Sequence, residues 1–379
     1  DAAWRNVNLS GHFVGGGFVE RFEAEWAAYC GVAHCVGVSD GTAAIMLALR
    51  ALDIGAGDEV IVPVNTFIAT WEAVAAVGAT PVPVDVDPGT LLASLGGIAA
   101  ACTPRTRAII AVHLFGQTMD MDALRELGDR RGVVIIEDAA QAHGATWRGR
   151  RAGGFGAVGC FSFYPGKNLG ALGDAGAIVT DRSDVAERIR SLANHGRHRD
   201  AAHRHVAVGG NHRLDSLQAA MLSAKLPHLD RWNASRRCVV EYYGAALADL
   251  DLEQVSIAPG AVSSHHLAVV QLAARDNVRR ALTDEGIGTG IHYPIPCHQQ
   301  PAFAEYASLS FPIAERAASR ILSLPMSPNL EQQQVERVAA VIRRCVGVRS
   351  RQVFGLLPAV RQREAVGGGV AGAPAVIAP

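Results

Sequence analysis

From residue 33 to about 180, short runs of β-branched and apolar residues alternate with longer Ala/Leu-rich segments. Few architectures accept that order. Strand, crossover helix and strand, repeated, build a mostly parallel sheet wrapped by helices on both faces. The strand-like runs are Cys35–Val38, Val60–Pro63, Pro81–Val84, Ala108–Val112, Val133–Ile136, Cys160–Phe163 and Ala177–Thr180, which predicts seven strands. Nearly continuous apolar character implies burial on both faces. Thr42–Leu52, Thr66–Val77, Met121–Arg131 and Ser183–Asn194 read as the intervening helices, with Gly78 where a helix C-terminal cap is wanted.

Residues 195–213 are rich in Gly, His and Arg and too polar for a core; helical patterns follow at Asp215–Lys225 and Asp230–Leu247. After about residue 255 the pattern changes to a strand near Leu267–Gln271, a helix over Arg275–Glu285, the run IHYP at 291–294, and helices near Ile313–Ile321 and Gln332–Arg344. The expected organisation is a large α/β domain with its N-terminal segment (1–250) and a smaller C-terminal α+β domain (251–350). Residues 351–379 are expected to be a disordered tail, since from Gly367 on they hold Gly, Ala, Val, Ile and Pro with no period.

Composition narrows the function classes. Lys plus Arg number 35 and Asp plus Glu 36, a formal charge of −1, so nothing draws polyanions from a distance. Neither nucleic acid nor membrane is an expected partner. The seven cysteines are irregularly spaced with no CxxC pair, which argues against a disulfide scaffold or zinc ribbon and for the reducing cytoplasm. No metal site is expected. The best apolar run is interrupted by Glu72, Asp85 and Asp87 and falls short of the roughly 20 residues that cross a bilayer. The chain begins at Asp1 with no starting Met and no leader pattern, so a few residues are expected to precede it.

Three segments carry chemistry. The apolar run Val133–Ile136 leads directly into Glu137 and Asp138, placing carboxylates at the carboxyl end of a parallel strand, where open α/β sheets bind ligands. The plainer reading is a solvated loop carboxylate. A Mg-binding Asp of a P-loop NTPase is a third reading, but Gly166–Lys167 has Phe161 where the first glycine belongs and Asn168 in place of Ser or Thr. Gly154, Gly156 and Gly159 form a GxGxxG that precedes a strand instead of following one, so it reads as a flexible connection and not as a dinucleotide site. Lys167 lies in SFYPGKNLGALGDAG (162–176), among two aromatic residues and four glycines. Apolar surroundings lower an amine's pKa, and a neutral amine can attack a carbonyl. A surface-loop lysine is the alternative.

Lys167 and Asp138 reinforce each other. A pyridine aldehyde cofactor needs a lysine for its Schiff base, an acid to keep its ring nitrogen protonated, and donors for its phosphate. Ser39, Asp40, Gly41 and Thr42 follow a strand and open a helix, which offers backbone N–H groups and a hydroxyl to a phosphate, although Ser or Asp there also serves as an ordinary N-cap. Asn194–Arg213 holds five histidines and four arginines against the single acid Asp200, a local excess that suits a diphosphate-bearing substrate, with a solvated loop as the bland reading.

EDAAQAHGA (137–145), FSFYPGKNLGALGDAGA (161–177), NHG (194–196), GxNxRLD (209–215) and TGIHYP (289–294) together resemble the PLP-dependent nucleotide-sugar aminotransferases of the DegT family, over roughly residues 10–345. The resemblance implies a PLP-dependent transferase of fold type I, acting as a homodimer with shared active sites. Lys167 then looks like the Schiff-base lysine, Asp138 the partner of the pyridine nitrogen, and Gln141 the donor to the phenolic oxygen. Phe67, in NTFIAT, takes the place of the aromatic that stacks on the ring. Gly41, Thr42 and Ser162 match phosphate positions, and Asn211 one that reaches the phosphate from the neighbouring subunit. His292, Tyr293 and Arg213 fall in segments that approach the nucleotide sugar. Two departures stand out. His212 precedes Arg213 where the family often has Ser, which bears on nucleotide contacts; the usual Ile-Asp pair after DVDP is missing around Leu91–Leu95, which bears on a peripheral helix.

The implied reaction moves an amino group from L-glutamate to a ketone of a nucleotide-linked deoxysugar, closest to C-3 of a dTDP-3-keto-6-deoxyhexose. A related sugar dehydratase would carry His in place of Lys167. A cyclitol aminotransferase would share every cofactor residue, and a non-catalytic regulator on this fold is expected to have lost Lys167 or Asp138.

Overall fold

A computed structural model describes residues 2–347; the expected tail at 351–379, like residues 348–350, lies outside them. The seven expected strands form one sheet: β1 (His34–Val38), β2 (Glu59–Pro63), β3 (Thr80–Val84), β4 (Thr106–Val112), β5 (Val134–Asp138), β6 (Val158–Ser162) and β7 (Gly176–Thr180), in the order β1-β7-β6-β5-β4-β2-β3. Adjacent strands from β6 across to β3 are parallel, and β7 runs antiparallel to both β1 and β6.

Helices cover both faces, and the two-residue period of the strands sorts side chains between them. On one side Val36, Val38, Cys160 and Ile178 join the large apolar cluster that includes α3 (Gly41–Ala51), α4 (Ala69–Ala76), α6 (Met121–Arg131) and α7 (Ser183–Ala193). On the other, Cys35, Phe161, Ala177 and Val179 meet α2 (Gly17–Cys30) and α8 (Ser216–Lys225). The sequence pattern assigned no element to α2, yet its fully buried Trp26 sets its ring edge-on to Phe161 and Phe163 at 5.0 and 5.3 Å. Leu229 of α9 (Leu229–Ala246) belongs to this second cluster, whereas Val239 and Tyr243 of the same helix enter a third. That third cluster also takes residues from β10 (Ala268–Gln271), α10 (Arg275–Asp284), β11 (Ile321–Leu324) and α12 (Gln332–Cys345). The remaining α-helices are α1 (Ala2–Ser10), α5 (Leu95–Ala101) and α11 (Pro312–Arg320), and no helix among the described residues is long and apolar enough to cross a membrane.

Three segments depart from the sequence expectation. The helix expected over Thr66–Val77 spans only Ala69–Ala76; ahead of it, Thr66 meets the Thr70 hydroxyl at 2.9 Å and Phe67 is exposed. The helix expected to reach Ile321 stops at Arg320, and Ile321–Leu324 pairs antiparallel with β10. Within the polar stretch 195–213, Arg197–His198 (β8) and Ala201–His205 (β9) form a hairpin.

The glycine-rich segment 153–159, far from being a loose connection, encloses a charge. Glu137 is fully buried, and its two oxygens accept four hydrogen bonds: from the amides of Gly153, Phe155 and Gly156 (2.6–2.7 Å) and from Nε2 of His113 (2.9 Å). Glycine is required for that closeness, since a Cβ on Gly159 would lie 2.4 Å from backbone atoms of Gly153. Burial alone would raise the Glu137 carboxyl, but the His113 bond and the amides outweigh it and hold the group below the usual carboxylate range. Every bond of Glu137 is one it accepts, so no orientation of a carboxamide satisfies the nest. Glu137→Gln should therefore cost about 3 kcal/mol of stability, read as a lowered urea midpoint with unchanged slope.

Candidate active site

The carboxyl ends of β4, β5 and β6, the first turn of α3, the loop 163–175 and two segments beyond residue 265 enclose a cavity of about 660 Å³. Asp138 reaches it from the tip of β5, beside Glu137 on the same strand, whose side chain turns the other way. Asp138 Oδ2 accepts from the Thr70 hydroxyl (2.7 Å) and Oδ1 from the Ala140 amide (3.2 Å). Burial pushes its carboxyl up, opposed by the Thr70 and Ala140 bonds and by the charge of Lys167.

Lys167 faces the same space from the loop after β6. Its ammonium makes neither an ion pair nor a hydrogen bond among the described residues, and burial lowers its pKa to about 8 against the opposing pull of Asp138. The backbone around it is fixed. The Lys167 amide donates to Tyr164 O (2.8 Å), the Asn168 side chain donates to Asn233 Oδ1 and Ser264 O (2.9 and 2.8 Å), and Lys225 Nζ donates to Gly170 O (2.6 Å). The amine is thus held beside a carboxylate but not neutralised by it.

The cavity floor is the α3 N-terminus. Asp40 caps it by accepting from the Ala43 amide (2.8 Å), which leaves the amides of Gly41 and Thr42, bonded to nothing within the helix, available to an anion. A Cβ on Gly41 would lie 2.7 Å from the Cβ of Ser162, so only glycine brings α3 this close to β6. On the opposite wall, Gln141 accepts from the Phe115 amide through Oε1 (2.7 Å), and this fixes its Nε2 as a donor, to Tyr293 Oη (3.1 Å). Burial and then Asp138 raise the Tyr293 hydroxyl, so it stays a phenol. Phe67, half exposed, lies 5.6 Å from the Tyr293 ring, and His292 Nδ1 is 2.8 Å from Ser323 Oγ.

Comparison with known proteins bears directly on this arrangement. A model of the DegT/DnrJ/EryC1/StrS aminotransferase family matches residues 1–343. The chain belongs to that family. It is 50% identical to the UDP-N-acetyl-3-dehydro-alpha-D-glucosamine 3-aminotransferase of Acidithiobacillus ferrooxidans, over 88% of this chain and 89% of that one. It is also 50% identical to the dTDP-3-amino-3,4,6-trideoxy-alpha-D-glucose transaminase of Streptomyces venezuelae, over 90% and 91%. Among solved structures, the crystal structure of S. venezuelae DesV in complex with a ketimine intermediate matches with a TM-score of 0.88 and 49% identity, over 91% of this chain and 93% of that one. The fold is that of the PLP-dependent transferases of fold type I.

Of the residues singled out in the sequence of this aminotransferase, nine line the cavity: Gly41, Thr42, Phe67, Asp138, Gln141, Ser162, Lys167, His292 and Tyr293. Asn211 and Arg213 do not line it. Asn211 is exposed and bridges to Asn194, whose Oδ1 accepts from Arg213 Nη1 (3.3 Å). Thr70, His113 and His266 escaped the sequence reading, because each earns its place through partners 68, 24 and 98 residues away. The sequence holds one further signal: only two of the 35 Lys and Arg residues, Lys167 and Lys225, are lysines. Among the described residues no group of three or more His, Cys, Asp or Glu is arranged to hold a metal ion.

With a pKa near 8, Lys167 is mostly charged at pH 6 and mostly neutral at pH 9. Reductive methylation of the cofactor-free protein, followed by mass spectrometry, should rise about tenfold per pH unit at Lys167 and level off near pH 8. In Asp138→Asn the plateau should begin at lower pH, since the charge that favours the ammonium is gone.

Proposed function

We propose that the chain transfers the amino group of L-glutamate to the keto carbon of a nucleotide-linked hexose, most closely a dTDP-3-keto-6-deoxyhexose, with pyridoxal 5′-phosphate as cofactor. One observation carries this reading: Lys167 and Asp138 share a cavity, feel each other's charge and yet form no ion pair, which leaves between them a gap suited to a flat cationic ring. The rest of the cavity fits the same group, with anion-seeking amides at Gly41 and Thr42, an aromatic face at Phe67 and a fixed donor at Gln141 Nε2. The two relatives at 50% identity, both named for amino-sugar chemistry, support the acceptor class.

Bound there, the cofactor supplies an electron sink for the carbanion formed when the donor loses its α-proton. Asp138, ionised and bonded by Thr70, holds a proton on the ring nitrogen. Lys167 Nζ, released as a neutral amine by its depressed pKa, takes the proton from the donor's α-carbon and later delivers one to the carbon that becomes aminated in the sugar. Gln141 Nε2 orients the phenolic oxygen, and Phe67 covers the ring from water.

The reading includes a homodimer with shared sites, in the cytoplasm. Asn211 lies outside its own chain's cavity, which supports its serving a neighbour's. In Lys167→Ala, borohydride should trap no pyridoxal adduct and turnover with L-glutamate and keto sugar should fall at least about a thousandfold; retained turnover rules out the assigned role. Mixing Lys167→Ala with an inactive Asn211→Asp variant should restore about a quarter of wild-type activity, because half the dimers then carry one intact site. No recovery, or a monomer by light scattering, rules out the shared site.

A further inference from the structure

His266 reaches the cavity from the segment just before β10 and has no role in the reading so far. Its tautomer can be read from a chain of bonds that begins and ends on main-chain carbonyls. Asn233 Nδ2 donates to His143 O (2.8 Å), so its Oδ1 is left to accept from Asn168 Nδ2 (2.9 Å). The other Asn168 amide hydrogen goes to Ser264 O (2.8 Å), so Asn168 Oδ1 can only accept. His266 Nδ1, 3.1 Å from that oxygen, must therefore carry a proton.

The ring is also neutral. Burial first, and then the charges of Lys167 and Arg236, push its pKa well below the ordinary histidine range. A neutral imidazole protonated at Nδ1 has a bare lone pair at Nε2. Among the described residues no group donates to Nε2, and the residue opens onto the cavity alongside Lys167 and His292. His266, Lys167 and His292 line one cavity, so the ring borders the space an acceptor must enter.

We infer that His266 is a specificity-determining residue of the acceptor subsite, its Nε2 accepting a hydrogen bond from a keto-sugar hydroxyl on a carbon beside the carbonyl. This rests on the amino-sugar reading above and deepens it. The acceptor is selected for a hydroxyl, because a neutral acceptor left facing a deoxy position loses its partner. The network behind the ring keeps Nδ1 occupied, so the ring cannot turn its N–H into the cavity without stranding Asn168.

The test pairs two variants with two substrates. His266→Asn keeps an N–H for Asn168 Oδ1 but removes the cavity lone pair; His266→Phe removes both. Holoenzyme is assayed with a keto sugar and with its analogue lacking the hydroxyl next to the carbonyl, and binding of the aminated product is measured by calorimetry. Wild type should favour the hydroxylated substrate by about 3- to 10-fold in kcat/KM, chiefly through KM. Both variants should lose that preference and bind product correspondingly more weakly, while the half-reaction with L-glutamate falls by less. A His266→Asn variant that keeps wild-type discrimination, or equal losses in both half-reactions, overturns the inference and leaves the amino-sugar reading standing. A wild-type holoenzyme that turns over no keto sugar overturns both.

Discussion

Two adjacent carboxylates at the tip of β5 set the terms for everything around them. Side chains of neighbouring strand residues point to opposite faces, so Glu137 and Asp138 cannot share an environment. Glu137 turns into the protein and becomes the anchor on which the glycine-rich segment and His113 converge. Asp138 turns to the cavity and keeps only Thr70 and one amide. The first is satisfied four times over and inert; the second is under-supplied and ready for a cation. A buried pair of like charges is tolerable only because the inner one is so fully bonded.

The loop that carries Lys167 is the counterpart of that strand tip. An amine with no acid partner would swing to solvent on a loose loop, and here it cannot. Asn168 is bonded to α9 and to the segment before β10, and Lys225 of α8 holds the carbonyl of Gly170. The constraint thus comes from three separate elements that meet only in the folded chain. Desolvation then does the rest, bringing the amine's pKa to about 8.

Most of the sheet and the centre of the site were legible from local sequence. Seven apolar runs with helical segments between them leave few topologies, and Lys167 and Asp138 stand out because ionisable groups are costly in such company. What stayed hidden was everything settled by distant partners. Periodicity cannot say that the helix starts only at Ala69, nor that Thr70 in its first turn reaches Asp138, 68 residues away. Nor can it reveal that a GxGxxG that reads as a flexible connection instead wraps the Glu137 carboxylate. The helix α2 carries a clear apolar stripe through Val19, Phe22 and Trp26, yet it lies ahead of the strand-helix alternation that marks the other elements. His266 in SSHH gives no local sign of its protonated nitrogen, which depends on Asn168, 98 residues earlier.

The scarcity of lysine has an outcome of its own. Arginine serves nearly all of the protein's cationic needs, and the two lysines both lie at one loop, one inside the cavity and one buttressing it from behind. Sugars that glycate, enzymes that acetylate and aldehydes of metabolism all seek a side-chain amine, and on this surface they find almost none. Stray carbonyls therefore meet hardly any side-chain amine on this molecule, and one of the two present is enclosed in the cavity.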